Sequence, residues 1–212
     1  IFWSELVNSL IVSIGTMVGV VVLALMVSFV IARYEFKFNK LLYSLFAAGM
    51  MFPITVAITP LYLLLRNLHL INSHLGIILP QIAFGLPQAI IILVPFLKSI
   101  PKELEEAATI DGSGFLKTYS SIMFPLAKPI MATVVIMQFI WTWNSFLLPL
   151  IVTLSRPELR TLAVGLYALR GENVVDWTGI AAGACIAVLP IILIFICLQR
   201  YFVDGVAGAV KS

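Results

Sequence analysis

His69, His74, Cys185 and Cys197 are the first side chains to try for metal ligation or covalent catalysis, and their spacing defeats both. The histidines lie in a short polar loop with no H-E-x-x-H pattern around them, so they read as solvated loop residues and not as zinc ligands. The cysteines share one apolar stretch and stand about 18 Å apart along a helix, beyond disulfide reach. Neither has a neighbouring base to activate it, and both read as small apolar packing residues. A phosphate cradle fails as well. The nearest approach to G-x-x-x-x-G-K-[ST] is Lys117-Thr118, with Asp111 and Leu116 where the two glycines belong. The chain is therefore read as no enzyme, with no catalytic residue, no metal site and no cofactor of its own.

What remains is recognition by neutral groups. Gln138, Trp141 and Ser145 recur at i, i+3 and i+7 with Asn144 adjacent, which places an aromatic plane beside amides and a hydroxyl. Sugars bind such surfaces. The competing account assigns Trp141 and Trp143 to the aromatic belt of a membrane interface, where tryptophan is favoured whatever the solute. Gln81 and Gln88 share a face of another helix and are further candidates for lining a path; hydrogen bonding between helices accounts for them equally well.

The elements that must position these groups are membrane helices. Hydrophobic residues make up 61% of 212 positions and charged ones 11%, far from the mix of soluble domains. Five stretches, roughly 10–31, 41–65, 75–97, 129–151 and 178–199, are long enough to cross a hydrocarbon core, and none holds an ionisable residue other than cysteine or tyrosine. No alternating ladder suggests a barrel, so the fold class is all-α, one permeating domain over 1–212. Pro53 and Pro60 interrupt the second stretch, Pro80, Gly85, Pro87 and Pro95 the third, and Pro190 the fifth. Such breaks free carbonyls that need partners in neighbouring helices or a wet cavity. Gly15 with Gly19, and Gly179 with Gly183, are small-xxx-small pairs that permit close helix approach.

Residues 98–128 form a polar island between two spans. Lys98, Lys102, Lys117 and Lys128 oppose Glu103, Glu105, Glu106 and Asp111, so the loop is net neutral and is no polybasic lipid patch. Pro101 and the acidic residues suit a first helical turn, and Gly112 suits a C-terminal stop, which predicts a short helix over 101–110. Ser113 is placed to cap a second helix carrying Phe115, Tyr119 and Ile122 on one face until Pro125 ends it. If this loop is cytoplasmic, Arg33, Lys37, Lys40, Lys98, Lys102, Lys117, Lys128, Arg200 and Lys211 lie inside, against Arg66, Arg156, Arg160 and Arg170 outside. That excess follows the positive-inside rule and places the C-terminus in the cytoplasm. The net charge of +3 needs no nucleic-acid partner.

Glu106-Ala107-Ala108, then Gly112, then Ile122-Met123-Phe124-Pro125 resembles the coupling loop of ABC importer permeases, E-A-A, three residues, G, nine residues, I-x-L-P. Every spacing fits, and only Phe124 departs, standing where the family has Leu. Trp143-Asn144-Ser145-Phe146, Pro149-Leu150, the stretch from Pro157 to Leu166, Leu198-Gln199-Arg200-Tyr201-Phe202 and Gly208-Ala209-Val210-Lys211 resemble the carbohydrate branch, above all the second membrane subunit of maltose-type importers.

The resemblance implies a bacterial inner-membrane, multi-pass subunit that admits a sugar or oligosaccharide by alternating access. It implies a further span before Ile1, a second and related permease chain, an extracytoplasmic sugar-binding protein, and two ATPase subunits that bind ATP and Mg. It assigns Glu105, Glu106, Ala107, Ala108, Asp111, Gly112, Ile122 and Pro125 to ATPase coupling. Two alternatives stay open: an ion-coupled carrier or channel, and an ABC permease for another small polar solute. The lack of charged residues in any span weighs against the carrier, because ion-driven carriers often place them there.

Overall fold

A computed structural model describes residues 2–171 and 175–210, with side chains as far as Gln199. Lys211, counted above among the inward charges, lies outside the described residues, as do the side chains of Arg200, Tyr201 and Phe202. The described residues are mostly helical and hold no strand. In chain order the helices are α1 (Phe2–Arg33), α2 (Asn39–Gly49), α3 (Ile54–Asn67), α4 (Leu75–Ser99), α5 (Glu103–Ile110), α6 (Phe115–Thr118), α7 (Phe124–Leu126), α8 (Lys128–Trp143), α9 (Leu147–Val152), α10 (Leu162–Ala168) and α11 (Trp177–Val210). A π-helical turn, Tyr119–Met123, joins α6 to α7.

Three helices are long and apolar enough to cross a membrane: α1, α4 and the Trp177–Gln199 part of α11. The other two expected spans are broken. α2 ends at Gly49, and α3 starts only after Pro53, which lacks an N–H and holds an extended backbone with φ −73° and ψ 129°. In the fourth, the Asn144 side chain donates to the Ile140 carbonyl at 2.8 Å and competes with the backbone, and the helix ends at Trp143. The third and fifth stretches behave oppositely to expectation. α4 runs without a break through Pro80, Gly85, Pro87 and Pro95, and α11 through Pro190. A lone proline removes one N–H from a ladder of many, and a long apolar helix retains the rest.

The chain divides into two compact units. The first comprises residues 1–19, 52–83 and 136–197. One of its cores gathers Val12, Leu65, Ile77, Leu148 and Val152; another gathers Phe139, Trp143 and Leu162 with Leu6, Leu166 and Ile191 against them. Gly15 and Gly19 face α4, where an added Cβ would collide with Ile78 and Ile82 respectively, so this pair is a close contact with a named partner. Of the second pair only Gly183 meets another helix, at Leu166; Gly179 sits in the first turn of α11, its N–H on the Asp176 carboxylate at 2.8 Å.

Polar groups on α1 hold the loop that precedes α10. Asn8 donates to the carbonyls of Glu158 and Arg160 at 2.8 and 3.0 Å, and the Ser9 hydroxyl accepts the Leu162 N–H at 2.7 Å. His74 Nε2 lies 3.0 Å from Asn8 Oδ1, so this histidine is part of the network and not a solvated loop residue. The exposed His69 fits the expectation. Both cysteines are exposed on α11 and fill no interior gap.

Trp143 stacks on Phe139 at 5.3 Å and donates its indole N–H to the Ala187 carbonyl at 3.1 Å, which joins α8 to α11. Trp143→Ala should lower stability by about 3 kcal/mol and Trp143→Phe by about 1 kcal/mol, read as thermal unfolding of the detergent-solubilised protein. Equal losses would place the stabilisation in the hydrogen bond alone.

Candidate functional site

The second unit comprises residues 20–51, 84–135 and 198–212 and carries the loop that the motif marks. Its first helix, α5, ends in a Schellman closure: the Gly112 N–H reaches the Thr109 carbonyl at 3.0 Å and the Ser113 N–H the Ala108 carbonyl at 2.9 Å. Gly112 holds φ +76°, the left-handed conformation expected of it, and a Cβ there would touch nothing within 4 Å. Any cost of a larger residue is therefore conformational and not steric.

The second helix departs from expectation. Gly114, not Ser113, occupies the N-cap, and no side chain bonds there. Pro125 does not stop the helix. The turn widens to a π-helix over Tyr119–Met123 just before it, so the missing proline N–H falls in α7 without breaking the run. The stop comes at Ala127, where the Phe115–Leu126 helix and α8 meet at 74°.

The motif residues divide by face. Glu105 and Ala108 turn inward, with Ala108 buried. Glu106, Ala107 and Asp111 are exposed, and Ile110 presents 87% of its surface. Beyond the turn Leu116 is 74% exposed, while Ile122 is partly covered and Pro125 exposed. A helix, a fixed reversal and a second helix thus present two bare aliphatic side chains beside acidic groups.

Two sets of contacts fix that surface to α1, and sequence reasoning missed both. Arg33, in the last turn of α1, buries its side chain to 3% exposure. Its Nε lies 2.6 Å from the Glu105 carboxylate as an ion pair, without the alignment of a hydrogen bond, while its Nη2 donates to the Ile100 carbonyl at 2.8 Å. Phe29, fully buried, stands 5.3 Å from Phe115 and 5.5 Å from Tyr119 between ring centroids, and Tyr34 stands 5.7 Å from Phe115. Burial raises the Tyr119 phenol pKa above its ordinary value, so it remains neutral. The available signal was a basic residue ending an apolar span 72 positions before an acidic motif, which names no pairing by itself.

The residues proposed to line a path do not share one environment. Gln81 is fully buried and accepts from the Thr16 hydroxyl at 3.3 Å, a bond from α1 to α4. Gln138 is 1% exposed, and Gln88 is partly covered. Trp141 and Asn144 are exposed, as are Met137 and Ile140, although Trp141 lies only one turn from the buried Gln138, and Ser145 is partly covered. Among the described residues no group of three metal-ligating side chains comes together.

A family model described as "Binding-protein-dependent transport system inner membrane component" matches residues 6–208. The diacetylchitobiose uptake system permease protein NgcG of Streptomyces coelicolor is 35% identical over 206 residues, 97% of this chain and 67% of that one. The melibiose/raffinose/stachyose import permease protein MelC of Bacillus subtilis is 34% identical over 211 residues, 99% of this chain and 76% of that one. A crystal structure of a bacterial ABC transporter involved in the import of the acidic polysaccharide alginate shares the fold, with TM-score 0.78 at 23% identity over 95% of this chain and 75% of that one.

Arg33→Ala strips the partner from the Glu105 carboxylate and the Ile100 carbonyl. Amides of Glu103–Ile110 should then exchange with deuterium about tenfold faster, the equivalent of about 1.4 kcal/mol. Unchanged protection would mean that other contacts hold α5.

Proposed function

Because the chain belongs to the family of binding-protein-dependent transport system inner membrane components, we propose that it is the permease subunit through which an ATP-driven importer passes a sugar or oligosaccharide into the bacterial cytoplasm. Relatives named for melibiose, raffinose, stachyose and diacetylchitobiose support the substrate class. In this reading the 98–128 loop is cytoplasmic, and the C-terminus with it. The loop docks on one of two ATPase subunits that bind ATP and Mg. A second, related permease chain completes the pathway, and an extracytoplasmic binding protein delivers the solute.

The observation that carries the coupling role is the exposed pair Ile110 and Leu116 on either side of the Gly112 reversal. Bare aliphatic side chains on a short, hydrogen-bonded frame suit insertion into an apolar groove of a partner. Because Arg33 pairs with Glu105 and Phe29 meets Phe115, movement of the docked loop is transmitted to α1. The path reading narrows to Trp141, Asn144 and Ser145. An exposed ring with an amide beside it remains available to hydroxyls, whereas the buried Gln81 and Gln138 serve helix packing in this conformation.

Two substitutions test the reading. Gly112→Val costs about 1–2 kcal/mol at positive φ, and Ile110→Asp removes an anchor worth about 2 kcal/mol, or thirtyfold in docking affinity. Both variants should reach the membrane yet recover little ATPase on purification and take up little sugar. Normal ATPase recovery and uptake in the same vesicles would remove the coupling role. Asn144→Leu should slow uptake by about tenfold with assembly intact, as the loss of one or two hydrogen bonds to the solute would; full uptake would leave Trp141 as a residue of the interfacial belt and Asn144 as a packing residue.

A further inference from the structure

The loop that counts as neutral in sequence is not neutral in space. A cavity of about 680 Å³ opens where α1 ends, α2 begins and α4 ends, lined by Arg33, Lys37, Lys40, Lys98 and Lys102 with Glu35 and Asn39. Its cations come from two stretches more than 50 positions apart, 33–40 and 98–102, which is why no run of charge marks it. The acidic residues that balance the loop in sequence do not line the cavity, though Lys102 also borders a neighbouring pocket with Glu105 and Glu106. Glu105 is taken by Arg33, and Glu103, Glu106 and Asp111 do not line the cavity. Four lysines therefore meet one carboxylate, Glu35, and none of the four has an ion-pair partner among the described residues.

Two further observations bear on the ligand. α2 begins at the cavity with no side-chain cap, so the positive end of its dipole adds to the field of the lysines. The lining is aromatic as well as cationic: Tyr34 and Phe36 are 44% and 40% exposed, and beside them Phe38, 59% exposed, lies with its ring 5.7 Å from Lys37 Nζ. Exposed aromatic rings beside lysines, at the end of a membrane-crossing helix, are the chemistry of the headgroup region. A soluble anion would need the lysines and would have no use for the rings.

We propose that this cavity binds the phosphate of an anionic phospholipid headgroup, held by Lys37, Lys40, Lys98 and Lys102, with the acyl chains leaving past Phe36 and Phe38. The site lies against the Arg33 junction that holds α5, so an occupied cavity would stiffen the base of the loop. The placement in the cytoplasmic leaflet rests on the orientation proposed above; the binding chemistry does not.

The test uses the full chain purified with its bound subunits in neutral detergent, titrated with a fluorescent short-chain phosphatidylglycerol. Phosphatidylcholine of equal chain length forms a second arm, and inorganic phosphate, added as competitor, a third. Phosphatidylglycerol should bind about tenfold more tightly than phosphatidylcholine and should resist inorganic phosphate. Lys40→Gln combined with Lys98→Gln should weaken it about 25-fold, at about fivefold per lysine, and the matching Lys→Arg pair should restore it. Equal binding of the two lipids, or of the double glutamine variant and the parent, would overturn the proposal. Full displacement by inorganic phosphate would overturn it too, and would make the cavity a free-anion site. Sugar uptake measured with the same protein separates the two readings: its absence would sink the importer function and leave the lipid titration standing.

Discussion

A guanidinium buried at the end of a 32-residue apolar helix must be matched on the spot, and the match at Arg33 organises the polar half of this molecule. An unpaired charge there would cost several kcal/mol, so the chain folds two acceptors onto it, the Ile100 carbonyl at the end of α4 and the Glu105 carboxylate on α5. The two ends of the polar loop's first half thereby share a reference point on α1. The second half is fixed differently, by Phe29 and Tyr34 against Phe115 and Tyr119. A charge at close range resists separation, whereas ring contacts permit sliding. The frame is thus held by a charge before the Gly112 reversal and by ring contacts after it, where the helix widens into a π turn.

What was legible in the sequence was local. The helical class follows from composition and length, and the left-handed Gly112 follows from an acidic helix that must stop before another begins, because a Schellman closure involves only residues within six positions of each other. Pairings across the chain were not legible. Asn8 with the 158–160 carbonyls and Arg33 with Glu105 join positions that no periodicity links. His74 was misread for the same reason: its loop is polar and short, and its partner sits on the first helix.

Proline was a poor guide to where helices break. Pro53 lies between the end of α2 and the start of α3 while Pro80, Pro87 and Pro95 lie inside a helix, and the difference is context. Pro53 follows Met51 and Phe52, exposed and outside any helix, so no ladder exists on its N-terminal side for neighbouring turns to sustain. The α4 prolines sit inside 25 helical residues, where Leu93, Leu97 and Ile90 are buried and the turns on both sides are already held. Asn144, a residue not suspected of breaking anything, ends α8 by turning its amide onto the Ile140 carbonyl. That break sets a polar group and a ring at the same place.

The division of the motif by face puts two adjacent glutamates in different environments. Glu105 is fixed by Arg33 and cannot leave it without stranding a buried charge, so it is part of the frame. Glu106, one position on, is rotated by about 100° and is fully free to meet a partner. Ala107 and Ala108 follow the same alternation: Ala108 is buried because a larger side chain would lift α5 off the unit, and Ala107 is exposed, where a small side chain leaves room for close approach. In the proposed docking, the position of the exposed side chains is set by the buried ones beneath them. Changes at the buried set should misplace the loop, and changes at the exposed set should weaken the contact while the loop stays in place.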